Sequence, residues 1–199
     1  IDRAVPRDGP WVRELGDADI VLLATPVGEF SALLAAMPGA LAEGAVMTDG
    51  GSTKQDVVAA ARAHLGDALP RFVPAHPIAG TEQSGARAAF PALFEGRHAV
   101  LTPLPETDPT ALARVRTLWE ACGADVITLD APTHDRILGA VSHLPHFLAA
   151  AYVAELAVRP ESGALFRLAG SGFRDFTRIA AASPAMWHDI GLANRDALR

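Results

Sequence analysis

An abrupt change of pattern at Pro132 constrains the fold of this chain more than any other feature. Before it, short continuous apolar runs alternate with helical periodicity. After it, helix follows helix and no strand-like run occurs. Asp19-Ile20-Val21-Leu22-Leu23-Ala24 reads as a buried strand that ends at Thr25-Pro26-Val27, with a helix expected over residues 29–37. Ala45-Val46-Met47-Thr48 is a second strand, closed by Asp49-Gly50-Gly51-Ser52, and residues 54–65 carry an amphipathic helical pattern. Arg71-Phe72-Val73-Pro74-Ala75 runs into His76. His98-Ala99-Val100-Leu101-Thr102 and Asp125-Val126-Ile127-Thr128-Leu129 are further strands, on either side of a helix over 109–122. Such strands alternating with helices predict a mostly parallel, doubly wound, Rossmann-like α/β sheet. Ligands of these sheets sit beyond the carboxyl ends of the strands, where Thr25-Pro26, Gly50-Gly51-Ser52 and His76 all fall.

Beyond Pro132, residues 133–158 form one segment that is apolar on most sides. It is expected to be kinked at Pro145 and covered all round, inside a bundle or at a dimer interface. Further helices are expected over 162–169, 174–182 and 184–198, the last opened by Ser183 as N-cap and Pro184 at the first position. The chain therefore divides into an α/β domain, residues 1–131, and an all-helical domain, residues 132–199. At 199 residues it is long enough for a sizeable core, and a formal charge of −6 argues against nucleic acid or an anionic membrane as partner. A single cysteine, Cys122, rules out an intrachain disulfide and fits a reducing, cytoplasmic setting. No charge-free run of about eighteen apolar residues occurs, so no membrane span is expected. The chain starts at Ile1 and its last residues read as helix with no stop signal, so it is expected to be part of a longer protein.

Four of the 7 histidines fall in two clusters. His76-Pro77-Ile78-Ala79-Gly80-Thr81-Glu82 places an imidazole at a strand end. It reads either as a histidine bonded to backbone or as a general base. His134-Asp135 and Ser142-His143-Leu144-Pro145-His146 open the long apolar segment. At about 100° per residue Ser142 and His146 share a face, Asp135 falls near it, and His134 projects away from His143. One metal held by all three histidines is therefore awkward, and no Gly-x-Ser-x-Gly elbow supports a serine hydrolase. Gly50-Gly51-Ser52-Thr53-Lys54 reads as a tight strand–helix turn or as a site for an anion or polar ligand, but lacks the P-loop spacing. Gly172-Phe173-Arg174-Asp175-Phe176-Thr177-Arg178 is either a solvated basic face or a clamp for a carboxylate. Trp187 reads as core packing.

Taken in order, Ala24-Thr25-Pro26-Val27, Asp49-Gly50-Gly51-Ser52-Thr53-Lys54, His76-Pro77-Ile78-Ala79-Gly80-Thr81-Glu82, Leu93-Phe94-Glu95-Gly96, His134-Asp135, Val141-Ser142-His143-Leu144-Pro145-His146 and Phe173-Arg174-Asp175-Phe176-Thr177-Arg178-Ile179-Ala180 resemble the prephenate or arogenate (cyclohexadienyl) dehydrogenase family. The resemblance covers nearly the whole chain. It implies oxidative decarboxylation of prephenate to 4-hydroxyphenylpyruvate in tyrosine biosynthesis, with hydride passing to a nicotinamide cofactor.

By that resemblance His76 accepts the substrate hydroxyl proton, and Ser52 orients His76 and touches the same hydroxyl. Arg178 holds a substrate carboxylate. Thr81, Ser142 and His146 line the substrate pocket with His134 close by, while Glu82 and Asp175 pair with Arg178. Thr25, Pro26, Val27, Gly50 and Gly51 line the cofactor side. Asp2 stands where an acid would bind the adenosine ribose, favouring NAD, although Arg3 beside it leaves room for NADP. No metal is implied. The family is dimeric through its helical domain. Its first strand and Gly-x-Gly-x-x-Gly turn would precede Ile1. Two alternatives stand beside this reading: a relative specific for arogenate or aminodeoxyprephenate, and a catalytically silent ligand-binding or regulatory homologue lacking the dinucleotide turn.

Overall fold

The structure is a computed structural model that describes residues 4–6, 8–80 and 89–199. Three strands, β1 (Ile20–Leu23), β2 (Val46–Asp49) and β3 (Phe72–Val73), pair in parallel in the order β1-β2-β3. Helices α1 (Phe30–Ala36) and α2 (Gln55–His64) connect them. Pro74 then interrupts the ladder, since a proline has no N–H to donate. The chain resumes as β4 (Ala75–Pro77), which pairs antiparallel with β5 (His98–Leu101); β6 (Asp125–Thr128) pairs parallel with β5. The expected mostly parallel arrangement is formed, laid out as two three-stranded sheets with one antiparallel pairing. Asp49 at the end of β2 stitches them together, its Oδ1 accepting the Ala75 amide at 2.9 Å.

One core gathers Leu23, Phe30, Leu34, Met47, Val57 and Phe72 between the first sheet and helices α1 and α2. A second gathers Ala99, Leu101, Val115 and Trp119 under α3 (Pro109–Ala121). Helix α3 starts where Asp108 caps the Thr110 amide at 2.7 Å.

The helical part opens with α4 (Ala131–Leu138), capped by Asp130, whose side chain accepts the Thr133 amide at 2.8 Å. A π-helical turn, Gly139–His143, joins α4 to α5 (Leu144–Ala157). It ends just before Pro145, whose ring would otherwise crowd the carbonyl four residues back, that of Val141. The remaining helices are α6 (Ser162–Arg167), α7 (Ser171–Thr177), a 3-10 turn Arg178–Ala181, and α8 (Pro184–Ala193). The helix expected over 174–182 is therefore two pieces, and α8 stops before residue 198. Helix α8 docks on the first core through Ile190, which is buried there.

The expectation that the long segment is covered all round fails within one chain. Val141 is 69 % exposed and Leu148 53 % exposed, and Leu144 and Tyr152 are also open to solvent. The stretch Ala131–Ala157 is long and apolar enough, by length and composition, to cross a membrane.

Candidate active site

The C-terminal ends of β2 and β4 face the start of α5 and the turn after α7. Between them lies a cavity of 380 Å³. Ser52, His76, Ser142, His143, His146 and Arg178 supply its polar lining, and Ile78, Leu138, Ile179, Met186 and Trp187 its apolar walls. Titratable groups converging on a partly apolar pocket are what a small-molecule site presents.

His76 is the middle residue of β4, partly buried and held by its register with Val100. Behind it the α/β domain is pinned by a buried ion pair. Lys54 Nζ pairs with Asp49 Oδ2 and donates to the Ala75 carbonyl at 2.7 Å. Asp49 also accepts the Gly51 amide at 2.8 Å. Lys54 and Asp49 are both fully buried. Burial pushes the His76 imidazole well below its ordinary pKa, and the Lys54 charge and the His134 and His143 rings push it the same way. The ring is therefore neutral at physiological pH, as a proton acceptor must be.

His134, expected close beside the substrate pocket, does not line the cavity itself but sits directly behind a residue that does. It is fully buried behind His76, with its Nε2 2.9 Å from His76 Nδ1 and its Nδ1 2.8 Å from Asp135 Oδ1. The orienting contact expected of Ser52 is thus made by His134, and Ser52 lines the cavity instead. His134 and His143, expected to project apart, are both buried on the side facing the α/β domain. The π turn supplies the difference, because its wider winding shifts the phase of every residue after it.

His143 is locked by Asn194, at the C-terminal end of α8. Asn194 Nδ2 donates to the Asp135 carbonyl at 2.8 Å and to His143 Nδ1 at 3.0 Å. His143 therefore carries its proton on Nε2, which faces the Ser52 backbone without a well-formed hydrogen bond. Burial lowers its pKa to about 4. His146 donates from Nδ1 to the Ser142 carbonyl at 2.9 Å, which leaves Nε2 for a ligand. Its ring stacks on Trp187, with centroids 3.8 Å apart and planes within 19°. Trp187 is consequently a wall of the pocket and not only core packing. Neither Trp187 nor Asn194 is signalled as a site residue by any local motif, because each acts by reaching across from α8.

Arg178 sits where α7 tightens into the 3-10 turn and contributes to the cavity lining. Asp175 is solvent-exposed and lies outside that lining. Thr81, Glu82 and Asp2 lie outside the described residues. On the cofactor side, Thr25 and Pro26 are exposed at the end of β1. Val27 is largely buried against the first core. Gly51 is needed for packing, since a Cβ there would come within 2.7 Å of the Phe30 ring and 3.0 Å of Asp49. Gly50 is different: a Cβ would sit in ordinary contact with the Pro77 ring at 3.8 Å and clash with nothing.

A nucleotide-binding type of α/β domain whose polar pocket is completed by a helical domain is the class defined by this fold and site. Residues 4–128 match the family model described as prephenate dehydrogenase, nucleotide-binding domain, and residues 130–199 match that described as prephenate dehydrogenase, dimerization domain. The chain belongs to the prephenate dehydrogenase family. The cyclohexadienyl dehydrogenase of Zymomonas mobilis is 37 % identical over 186 residues, covering 92 % of this chain and 62 % of that protein. The prephenate dehydrogenase of Bacillus subtilis is 36 % identical over 195 residues, covering 96 % of this chain and 52 % of that protein. A crystal structure of prephenate dehydrogenase from A. aeolicus, in complex with hydroxyphenyl propionate and NAD+, superposes with a TM-score of 0.83 at 42 % identity, covering 90 % of this chain and 62 % of that one. The chain thus spans 52 % to 62 % of the length of these relatives.

Proposed function

We propose that the full-length protein is a cytoplasmic, homodimeric dehydrogenase. It converts prephenate to 4-hydroxyphenylpyruvate and carbon dioxide, with NAD as the hydride acceptor. The observation that carries this reading is a neutral imidazole, His76, sharing one 380 Å³ cavity with the guanidinium of Arg178. The A. aeolicus relative holds a hydroxyphenyl acid together with NAD+, which fits a ring-bearing carboxylate in the corresponding pocket.

The chemistry asked of this chain is modest. Loss of hydride and of carbon dioxide makes the ring aromatic, so the step is downhill once the substrate is aligned. His76 accepts the ring hydroxyl proton as the hydride departs and returns it to the phenol oxygen, so no proton is consumed overall. Arg178 offers a planar fork to one carboxylate. Ser142 and His146 line the same side, and Trp187 supplies a flat wall. When bound, the nicotinamide supplies the hydride acceptor. Thr25, Pro26 and Gly50 would hold it at the strand ends. Asp2 in the sequence favours NAD over its phosphorylated form.

The test is NADH formation by the full-length protein with prephenate, measured beside arogenate and beside NADP. A His76→Asn variant is expected to keep its fold and lose at least about 100-fold in kcat, the usual reach of a general base. The acid limb of kcat/KM is expected below pH 6.5, because the neutral, active ring persists until pH falls through its lowered pKa. A folded His76→Asn variant with wild-type turnover would overturn the mechanism. Turnover of arogenate alone would move the substrate assignment to the amino analogue.

A further inference from the structure

We infer that His134, clamped by Asp135, is a positioning residue that holds His76 with its proton on Nδ1 and so leaves Nε2 as the base. This rests on the proposed function only for what the base acts upon; the hydrogen-bond logic stands without it.

Asp135 anchors the network. Its Oδ1 accepts the Lys54 amide at 2.8 Å and faces His134 Nδ1 at 2.8 Å. Its Oδ2 accepts the Gln55 amide at 2.9 Å and Gln55 Nε2 at 3.2 Å. Two of these donors are amides at the start of α2, a position that favours a carboxylate. Burial alone would raise the pKa of Asp135, but the bonds from His134, Gln55 and Lys54 outweigh it and hold the carboxyl below its ordinary value. An ionised carboxylate only accepts, so the proton between Asp135 and His134 belongs to His134 Nδ1. With a single proton on the ring, held at Nδ1, His134 presents a lone pair at Nε2. The atom 2.9 Å away is His76 Nδ1, which must donate to it. The remaining nitrogen of a neutral His76 is then a lone pair, the state a proton acceptor needs.

Two consequences follow. The base is oriented across the domain boundary, because His134 and Asp135 belong to α4 while His76 belongs to β4. The carboxylate also stabilises the imidazolium that forms when His76 takes a proton, relayed through one intervening ring. His134 is not among the residues lining the cavity.

Replacing His134 separates this role from direct substrate contact. In the full-length protein, His134→Phe removes the acceptor, and kcat is expected to fall on the order of 100-fold with KM for prephenate nearly unchanged. His134→Gln, whose amide oxygen can accept the same proton, is expected to recover most of that loss. Unchanged kcat in a folded His134→Phe variant would overturn the proposal, and so would a raised KM at constant kcat. Should the variants fail to fold, long-range nitrogen–proton spectra of 15N-histidine-labelled wild-type protein decide directly. His76 is expected to be protonated on Nδ1, and protonation on Nε2 would sink the idea. That reading is independent of turnover, so a protein that proves inactive on prephenate would refute the proposed function and leave the tautomer to be judged separately.

Discussion

Lys54 is a lysine with no exposed surface, and its position shows what the strand bearing the base needs beneath it. Its ammonium is matched by the Asp49 carboxylate and the Ala75 carbonyl, and Asp49 in turn takes the amides of Gly51 and Ala75. Three segments, the end of β2, the start of β4 and the turn before α2, are thereby fixed directly behind His76. A fully bonded buried pair adds little net stability, but a broken one leaves a buried charge without a partner. Lys54→Met is therefore expected to destabilise the protein by about 3–5 kcal/mol. Lys54→Met combined with Asp49→Asn should cost clearly less than the sum of the two single changes. Denaturant midpoints of the four proteins measure this. Additive losses would mean that the two side chains act independently.

At the scale of elements, the α/β half was legible and the helical half only partly so. Runs such as Ile20–Leu23 and Val46–Asp49 were readable as strands because each opens on a run of consecutive apolar residues too short for a helix, although Leu22 is open to solvent on one face of β1. His76 was readable because it follows such a run. The antiparallel pairing of β4 was not, since nothing local distinguishes a proline that bends a strand from one that ends it. The arrangement of His134, His143 and His146 was misjudged for a single reason: uniform winding was assumed through Gly139–His143, where the helix is π. Asn194 and Trp187 were out of reach of any motif, since their partners lie 51 and 41 positions away. The π turn is also open to test. Deleting Val141 should let α4 and α5 merge into one regular α-helix, preserving helical content by circular dichroism. Because the π turn holds one residue more than α-helical winding, the deletion would keep His146 in phase with His134 and displace the side chains inside the former turn, Ser142 and His143. Activity is expected to fall by about 100-fold or more, the usual cost of a misplaced catalytic group. Unimpaired turnover would show that the winding of this segment is irrelevant to the site.

For the whole molecule, the open question is what covers α5. Val141, Leu144, Leu148 and Tyr152 form a run of large apolar side chains facing outward in the single chain, and such a patch is normally an interface. Its length and composition would also suit a lipid bilayer. Two features favour a second copy of this chain. The same stretch carries His134, Asp135 and His143 in a hydrogen-bonded network with α2 and α8, which passage through hydrocarbon would have to break. Residues 130–199 also match a family model described as a dimerization domain. Tyr152 rests against Phe173 and Phe176 of α7, whose C-terminal end leads into Arg178. A partner seated on α5 would therefore buttress the turn that presents the guanidinium. Leu148→Arg places a charge in the middle of this run, 53 % exposed in the monomer and not part of the cavity lining. It is expected to shift the full-length protein from dimer to monomer in sedimentation velocity. It should also raise KM for prephenate as Arg178 loses its support, while leaving the His76 tautomer untouched. A Leu148→Arg protein that remains dimeric would place the interface elsewhere on the helical domain.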